Sequence, residues 1–260
     1  MVERNDSDIA EQTNEIISGK NAVTEFLKSD GRADVLYVTS EDDDSYRYII
    51  SLAKEAGAVV KKIHPQKLSR LCGGERHQGV ALSCTLCEYK DIDYVFEYAA
   101  QTGRPPFLII ADGIEDPHNL GAIIRTAECA GAHGVVIPKR RGCPVTAAVF
   151  RASAGACGHI PIVRASNLAS EIREIKKRGV FCYGADMDGE TCYDTDITGA
   201  TALVIGSEGF GVSRLVKDLC DKVIALPLLG QLNSLNASVA AGIVMYEYVR
   251  QNMGKGAASI

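Results

Sequence analysis

The amino-acid sequence predicts an α/β protein, a parallel sheet flanked by helices and preceded by a smaller α/β unit. Three observations carry this. Short, nearly continuous apolar runs, such as Phe107-Leu108-Ile109-Ile110-Ala111 and Ala202-Leu203-Val204-Ile205, alternate with longer segments of helical period. Runs without polar alternation suit strands buried on both faces, the situation of a parallel sheet. Third, Thr102-Gly103-Arg104-Pro105-Pro106 interrupts the chain with its strongest cluster of Gly and Pro, which marks a junction between two α/β parts.

The elements follow in order. Residues 1–15 are polar and acidic and are expected to be disordered. Gly19–Ser29 reads as a helix with Val23, Phe26 and Leu27 on one face. Val35–Thr39 is a strand. Glu41–Asp44 places acidic residues at the start of a helix through Ala56, where they suit its positive end, and Gly57 stops it. Ala58–Ile63 is a strand, Pro65 opens a short helix to Leu71, and Gly79–Cys84 is a strand. Residues 16–88 form the first domain and 89–105 a linker, although Ile92, Val95, Phe96 and Ala99 recur there at helical spacing.

In residues 106–260 the expected strands are Phe107–Ala111, Gly134–Ile137, Ile160–Val163, Val180–Ala185, Ala202–Ile205 and Val223–Leu226. The expected helices are Leu120–Ala130, Val145–Ala152, Leu168–Lys177, Val212–Leu219 and Ala237–Gln251.

Composition narrows the function classes. Hydrophobic content of 46% and charged content of 23% are ordinary for a soluble globular protein. No apolar run reaches the roughly 20 residues that span a bilayer, and the N-terminus lacks the basic start and apolar centre of a signal peptide, so a cytoplasmic protein is expected. The nine cysteines, spread from Cys72 to Cys220, read as small buried hydrophobes in a reducing compartment. Cys84 and Cys87 form a lone C-x-x-C without a second pair, so no metal is expected.

The net charge of −5 does not by itself point to nucleic acid. Two local clusters are basic: Lys61, Lys62, Lys67, Arg70, Arg76 and His77, and the run Lys139-Arg140-Arg141. Either of them reads as a solvated face until a partner is argued on other grounds.

Three loops carry chemistry. Asp112-Gly113-Ile114-Glu115-Asp116-Pro117-His118-Asn119 follows a strand and precedes a helix, for which Asn119 is an N-cap candidate. Arg125 sits in that helix among Ile123, Ile124 and Ala127. It requires an acidic partner or an anionic ligand, or it extends to solvent. Gly206-Ser207-Glu208-Gly209-Phe210-Gly211 follows another strand. It lacks the Lys and Ser/Thr of a P-loop, and its acidic residue disfavours a phosphate; it is a tight turn, or a ligand loop suited to a cation or to Arg125. Asn233, Ser234, Asn236 and Ser238 lie between the last strand and the last helix, with Ser234 or Asn236 available as its cap.

Taken together, Asn119-Leu120-Gly121-Ala122-Ile123-Ile124-Arg125-Thr126-Ala127, Leu203-Val204-Ile205-Gly206-Ser207-Glu208-Gly209, and Leu226-Pro227 with Ser234-Leu235-Asn236-Ala237-Ser238-Val239-Ala240 resemble the three motifs of the SpoU (TrmH) family of RNA 2′-O-ribose methyltransferases. The likeness extends over residues 106–251. Ile17-Ser18-Gly19-Lys20-Asn21-Ala22-Val23 and His77-Gln78-Gly79-Val80 resemble the start and end of the ribosomal-protein-like RNA-binding domain found in the ribosomal-RNA branch.

The resemblance implies a deep trefoil knot of the SPOUT type in the parallel-sheet domain, a feature that composition and periodicity do not show. It implies S-adenosylmethionine as cofactor, held by Gly206, Ser207, Gly209, Leu226, Leu235, Asn236 and Ser238. Arg125, Asn119, Glu208, Ser234 and Asn236 would be the catalytic set, in a homodimer whose site lies at the subunit interface. Lys61, Lys62, Lys67, Arg70, Arg76 and His77 would contact RNA. The implied activity is 2′-O-methylation of a guanosine in 23S rRNA. The alternatives are the same chemistry on tRNA or on an antibiotic-target site in rRNA, or a non-catalytic RNA-binding assembly factor.

Overall fold

The computed structural model describes residues 12–28, 32–40, 44–74 and 76–253. They divide into two compact units, one made of residues up to Glu88 with Val145–Ala147, the other of Tyr89–Pro144 and the residues from Ala148 on.

The first unit contains β1 (Gln12–Ser18), α1 (Lys20–Leu27), β2 (Arg32–Val38), α2 (Asp44–Glu55), β3 (Val59–Lys62), α3 (Pro65–Leu71) and most of β4 (Val80–Lys90). β4 is flanked by β1 and β2, both antiparallel to it, and β3 runs parallel to β2. Leu68, Cys72 and Ala81 form a buried cluster under Ile16, Tyr37 and Ile63. Residues 12–15, expected to be disordered, belong to β1, because β4 offers them antiparallel partners. The acidic residues 41–43 and residues 1–11 lie outside the described residues.

The second unit follows with α4 (Ile92–Thr102), β5 (Phe107–Asp112), α5 (Pro117–Cys129), β6 (Gly134–Pro138), α6 (Ala147–Ala152), β7 (Ile162–Ala165), α7 (Leu168–Lys177), β8 (Phe181–Thr191), β9 (Thr201–Gly206), α8 (Arg214–Lys217), β10 (Lys222–Ala225) and α9 (Ala237–Asn252). Its strands run in the order β10-β8-β9-β5-β6-β7, all parallel. β5 and β9, at the centre, are buried along nearly their whole length, which is why their sequences are unbroken apolar runs.

Several boundaries differ from the sequence reading. The strand expected to end at Cys84 continues to Lys90, and the expected linker 89–105 is the end of that strand followed by α4. Helix α4 has both end signals. The Asp91 side chain accepts the Tyr94 N–H at 2.8 Å, and Gly103 ends the helix in the left-handed region. The Gly-Pro cluster therefore terminates a helix. The helix expected over Val212–Leu219 is only Arg214–Lys217. β8 runs on to Thr191, and its register against β10 jumps from Gly184 to Glu190, so Ala185–Gly189 bulge away from β10 while Ala185 still pairs with Ile205 of β9.

The order of strands fixes where a ligand can enter. The chain lays β6 and β7 on one side of β5, and β9, β8 and β10 on the other. Successive connections thus diverge between β5 and β9, and a crevice opens beyond the carboxyl ends of those two strands. The loops after β5, β6, β9 and β10 all end at this edge. Among the described residues no helix is long and apolar enough to cross a membrane.

At the other end of the sheet, His133 is buried just before β6. Its Nδ1 accepts the Phe107 N–H at 3.0 Å, and its Nε2 lies 2.9 Å from Thr102 Oγ1, which donates to the Ala99 carbonyl. That arrangement needs a neutral ring protonated on Nε2. Burial, with Arg104 nearby, pushes the imidazole down to about 4 from 6.5. The unfolded chain therefore takes up a proton here before the folded one does. Stability is expected to fall as pH drops from about 6.5 to about 4, by at most about 1.4 kcal/mol per unit. Urea denaturation of the wild type and of His133→Gln across that range will show the variant with the shallower pH slope.

Candidate functional site

The site is built from three loop-to-helix junctions. Helix α5 begins at Asp116-Pro117. Pro occupies its first position, where no N–H is needed, and Asp116 Oδ1 accepts the N–H groups of His118 at 2.6 Å and Asn119 at 3.2 Å. Asp116 is thus the cap, in place of Asn119 as the sequence suggested. Asn119 sits in the first turn with its side chain free to point elsewhere.

The turn after β9 is closed on itself. Ser207 and Gly211 exchange backbone hydrogen bonds at 3.1 and 2.9 Å, and Gly211 has φ +63°. The segment is therefore a tight turn, and it also projects Glu208 towards Asn119. Beyond β10 the chain reaches Asn236, which caps α9 by accepting the N–H groups of Ser238 at 3.0 Å and Val239 at 3.3 Å, with the Ser238 hydroxyl donating at 2.6 Å. Of the two cap candidates, Asn236 holds the position.

These junctions meet on one atom. Glu208 Oε1 accepts from Asn119 Nδ2 at 3.0 Å, from Asn236 Nδ2, and from the Ala237 N–H at 3.3 Å. Asn236 Nδ2 also donates to Asn119 Oδ1 at 2.9 Å. A carboxylate can accept several donors at once, so one side chain clamps two helix starts and a turn. Glu208 thus secures the loops and makes no hydrogen bond or ion pair with Arg125 among the described residues.

Against this clamp lies a cavity of about 300 Å³. Its walls are the turn after β9, the bulge of β8, the loop after β10 and the first turns of α9. Gly206, Ser207, Gly209, Leu226, Ser234 and Leu235 line it, and so do Asp186 and Met187, which the sequence reading did not single out. Asn236 and Ser238 do not; they build the cap beside it.

The lining is apolar over Ile205, Ile224, Leu226, Leu235, Ala240 and Val244, and its charged members, Asp186 and Glu208, are both acidic. No Lys, Arg or His reaches it. Such a pocket accepts a flat apolar body and disfavours a phosphorylated cofactor.

Arg125 lies on the exposed side of α5 and lines neither this cavity nor the one described below, while Ile123, Ile124 and Ala127 turn inward. In the first unit, Lys61 and Lys62 on β3, Lys67 and Arg70 on α3, and Arg76 are exposed. His77 is engaged internally: Nδ1 accepts the Gly79 N–H at 3.0 Å and Nε2 lies 2.9 Å from Ser69 Oγ. The two signature segments of this unit also meet, with Gly19 N–H donating to the Val80 carbonyl at 3.1 Å and Lys20 N–H to Gln78 Oε1 at 3.1 Å. No group of His, Cys, Asp and Glu suited to a metal occurs among the described residues.

Of the residues missed in sequence, Asp116 had a legible signal, since Asp-Pro before an apolar helix reads as cap plus first position. Asp186 and Met187 had none, because only the register jump between β8 and β10 brings them to the cavity.

The turn after β9 leaves no room at its base. A Cβ on Gly206 would lie 2.0 Å from the carbonyl carbon of Gly211 and 2.2 Å from the Val212 nitrogen. Both are backbone atoms that cannot rotate away. Gly206→Ala is expected to lower stability by about 1–3 kcal/mol in chemical denaturation and to distort the cavity wall.

Comparison with known proteins agrees with this geometry. The SpoU rRNA methylase family model matches residues 106–246, and the model for RNA 2′-O-ribose methyltransferase substrate binding matches residues 16–90. YacO of Bacillus subtilis (strain 168), assigned by name to the TrmH family of tRNA/rRNA methyltransferases, is 44% identical over 92% of this chain and 97% of its own length. A tRNA/rRNA methyltransferase of uncharacterised activity from Mycobacterium avium (strain 104) is 42% identical over 92% of this chain and 78% of its own. Among solved structures, the SpoU methyltransferase AviRb from Streptomyces viridochromogenes, in complex with the cofactor AdoMet, superposes with a TM-score of 0.72 at 25% identity, covering 93% of this chain and 91% of that one. The apolar, acid-lined cavity, the clamp of three motif loops and these matches converge: the chain belongs to the SpoU family of RNA methyltransferases.

Proposed function

We propose that this chain transfers a methyl group from S-adenosylmethionine to a ribose 2′-hydroxyl of RNA, with a guanosine of 23S rRNA as target. The observation that carries the reading is the Glu208 clamp, which joins all three motif loops along one wall of the cavity. Dependence on S-adenosylmethionine follows from family membership. The cavity also fits that cofactor, since its apolar walls suit an adenosyl group, while Asp186 is paired with Lys217 at 3.3 Å and Glu208 with its amide donors. Gly206, Ser207, Gly209, Leu226 and Leu235 would hold it, with Asn236 and Ser238 keeping the loop in shape. When bound, the cofactor supplies an electrophilic methyl on a sulfonium.

The chain's own residues then have to orient and deprotonate a hydroxyl. Placing a 2′-oxygen in line with a held methyl supplies several orders of magnitude, because the two reactants no longer have to meet and align. Asn119 and Ser234 are the polar groups available to hold the ribose. Arg125 offers hydrogen-bond donors and no acceptor, so it serves to fix the adjoining phosphate and stabilise the developing alkoxide in place of acting as the base.

Arg125 is exposed and lines neither cavity, which leaves it available to serve a second copy. Helix α9 supports a homodimer. It buries Ala237, Ala241, Val244, Met245 and Tyr248, yet Val239 and Tyr246 on its other side are about half exposed with Ile243 between them. A helix apolar all round expects a covering partner. The deep trefoil knot is part of the same reading, as is a cytoplasmic location. The match of residues 16–90 to an RNA substrate-binding model supports an RNA target, and the exposed Lys61, Lys62, Lys67, Arg70 and Arg76 would track the RNA backbone.

Transfer of labelled methyl to rRNA fragments and to tRNA, followed by primer-extension mapping, tests the substrate; modification of tRNA alone would reject the ribosomal target. Calorimetry that finds no S-adenosylmethionine binding would favour a non-catalytic assembly factor. Arg125→Ala should lower methyl transfer by at least about 100-fold with cofactor affinity unchanged. Tyr246→Glu should shift the protein to monomer in sedimentation velocity and reduce transfer with it.

A further inference from the structure

A second cavity, of about 360 Å³, shares the Ser207–Phe210 segment and Ala237 with the first. It lies over the divergence point of the sheet, between the loops after β5 and β9. A larger share of its lining residues is polar, and Arg141 enters it beside Glu115, Asp116 and Glu208. Arg141 belongs to the basic run Lys139-Arg140-Arg141, which the roles above leave unused.

The turn carrying Arg141 is clamped on both sides. Lys139 N–H donates to the Ala165 carbonyl at 2.8 Å, and Cys143 N–H to the Ile114 carbonyl at 2.8 Å. Between these anchors Arg141 adopts φ +60°, a left-handed conformation in which a long side chain is strained. No hydrogen bond or ion pair to its guanidinium occurs among the described residues.

Glu115, Asp116 and Glu208 line the same cavity. Asp116 is turned onto the N–H groups it caps, and Glu208 onto Asn119, Asn236 and Ala237. The charges of Asp116 and Glu208 are directed at their own donors, whereas those of Arg141 and of the exposed Glu115 are not. At the lip between the two cavities stands Phe210, 93% exposed, on a turn that its own backbone bonds hold closed. An exposed aromatic ring on a closed turn beside an unpaired guanidinium is the equipment for a single-stranded nucleotide: a face for stacking and a charge for the phosphate.

We infer that the second cavity is the nucleotide subsite, with Arg141 binding a backbone phosphate next to the reacting ribose and Phe210 stacking one base. This rests on the RNA methyl-transfer reading above and adds the residues that seat the strand.

The test is RNA binding by the full chain, read by fluorescence anisotropy with a 23S rRNA fragment across a salt series, alongside calorimetric titration of S-adenosylmethionine. Arg141→Gly suits the left-handed backbone and should melt no lower than the wild type. It should bind RNA at least about tenfold more weakly, with the slope of log affinity against log salt reduced by about 0.7–0.9, and keep its cofactor affinity. Arg141→Lys should restore the slope. Phe210→Ala should weaken binding without changing the slope, and Phe210→Tyr should bind like the wild type.

Wild-type RNA affinity and slope in Arg141→Gly would overturn the subsite. So would a loss of cofactor binding equal to the loss of RNA binding. A wild type that binds RNA but transfers no methyl to it would overturn the functional reading instead, while the anisotropy comparison still decides the subsite.

Discussion

The site depends on a single carboxylate oxygen. Asn119 and Asn236 are 117 residues apart and Glu208 lies between them in sequence, yet their side chains converge on Glu208 Oε1 and on each other. Each group answers a need of another. Helix α9 begins with an N–H that requires an acceptor, and Glu208 supplies one to Ala237 while Asn236 caps Ser238 and Val239. The clamp does the work of helix capping and at the same time sets the wall of a binding cavity.

The clamp forms where it does because of sheet order. Connections diverge between β5 and β9, so the loops after these strands face each other across a gap with no crossover helix to fill it. The bulge of β8 at Ala185–Gly189 brings Asp186 and Met187 into the far wall. The outcome is two adjoining cavities of contrasting chemistry. One is apolar with acidic charge; the other contains an arginine held in a strained turn.

Capping explains which polar residues were free to serve. Asp116 satisfies the first N–H groups of α5, and this releases the Asn119 side chain to reach Glu208. Asn236, by contrast, both caps α9 and joins the clamp, using its oxygen for one and its amide nitrogen for the other. Ser234, the other cap candidate, is left to line the cavity. A similar division holds in the first unit, where His77 bridges Ser69 and Gly79 and the neighbouring exposed lysines and arginines face solvent.

Local order was legible in the sequence wherever a physical cause acts within a few residues. Apolar runs marked β5 and β9, periodicity marked α7 and α9 at nearly their observed bounds, and the ordered motifs marked Asn119, Glu208 and Asn236 as a set. The span 89–105 shows the limit: its helical spacing was visible, but the Gly-Pro cluster outweighed it, although Asp91 and Gly103 are cap and stop of α4. The sequence by itself determined the α/β class and, through the resemblance of its three motif loops, the family. Only the tertiary structure decided that Glu208 holds amides and not Arg125, that Asp116 is the cap, and that Met187, Phe210 and Arg141 stand at the cavities. The reason is that strand order and register bring together residues tens of positions apart, and neither leaves a local trace in composition or period.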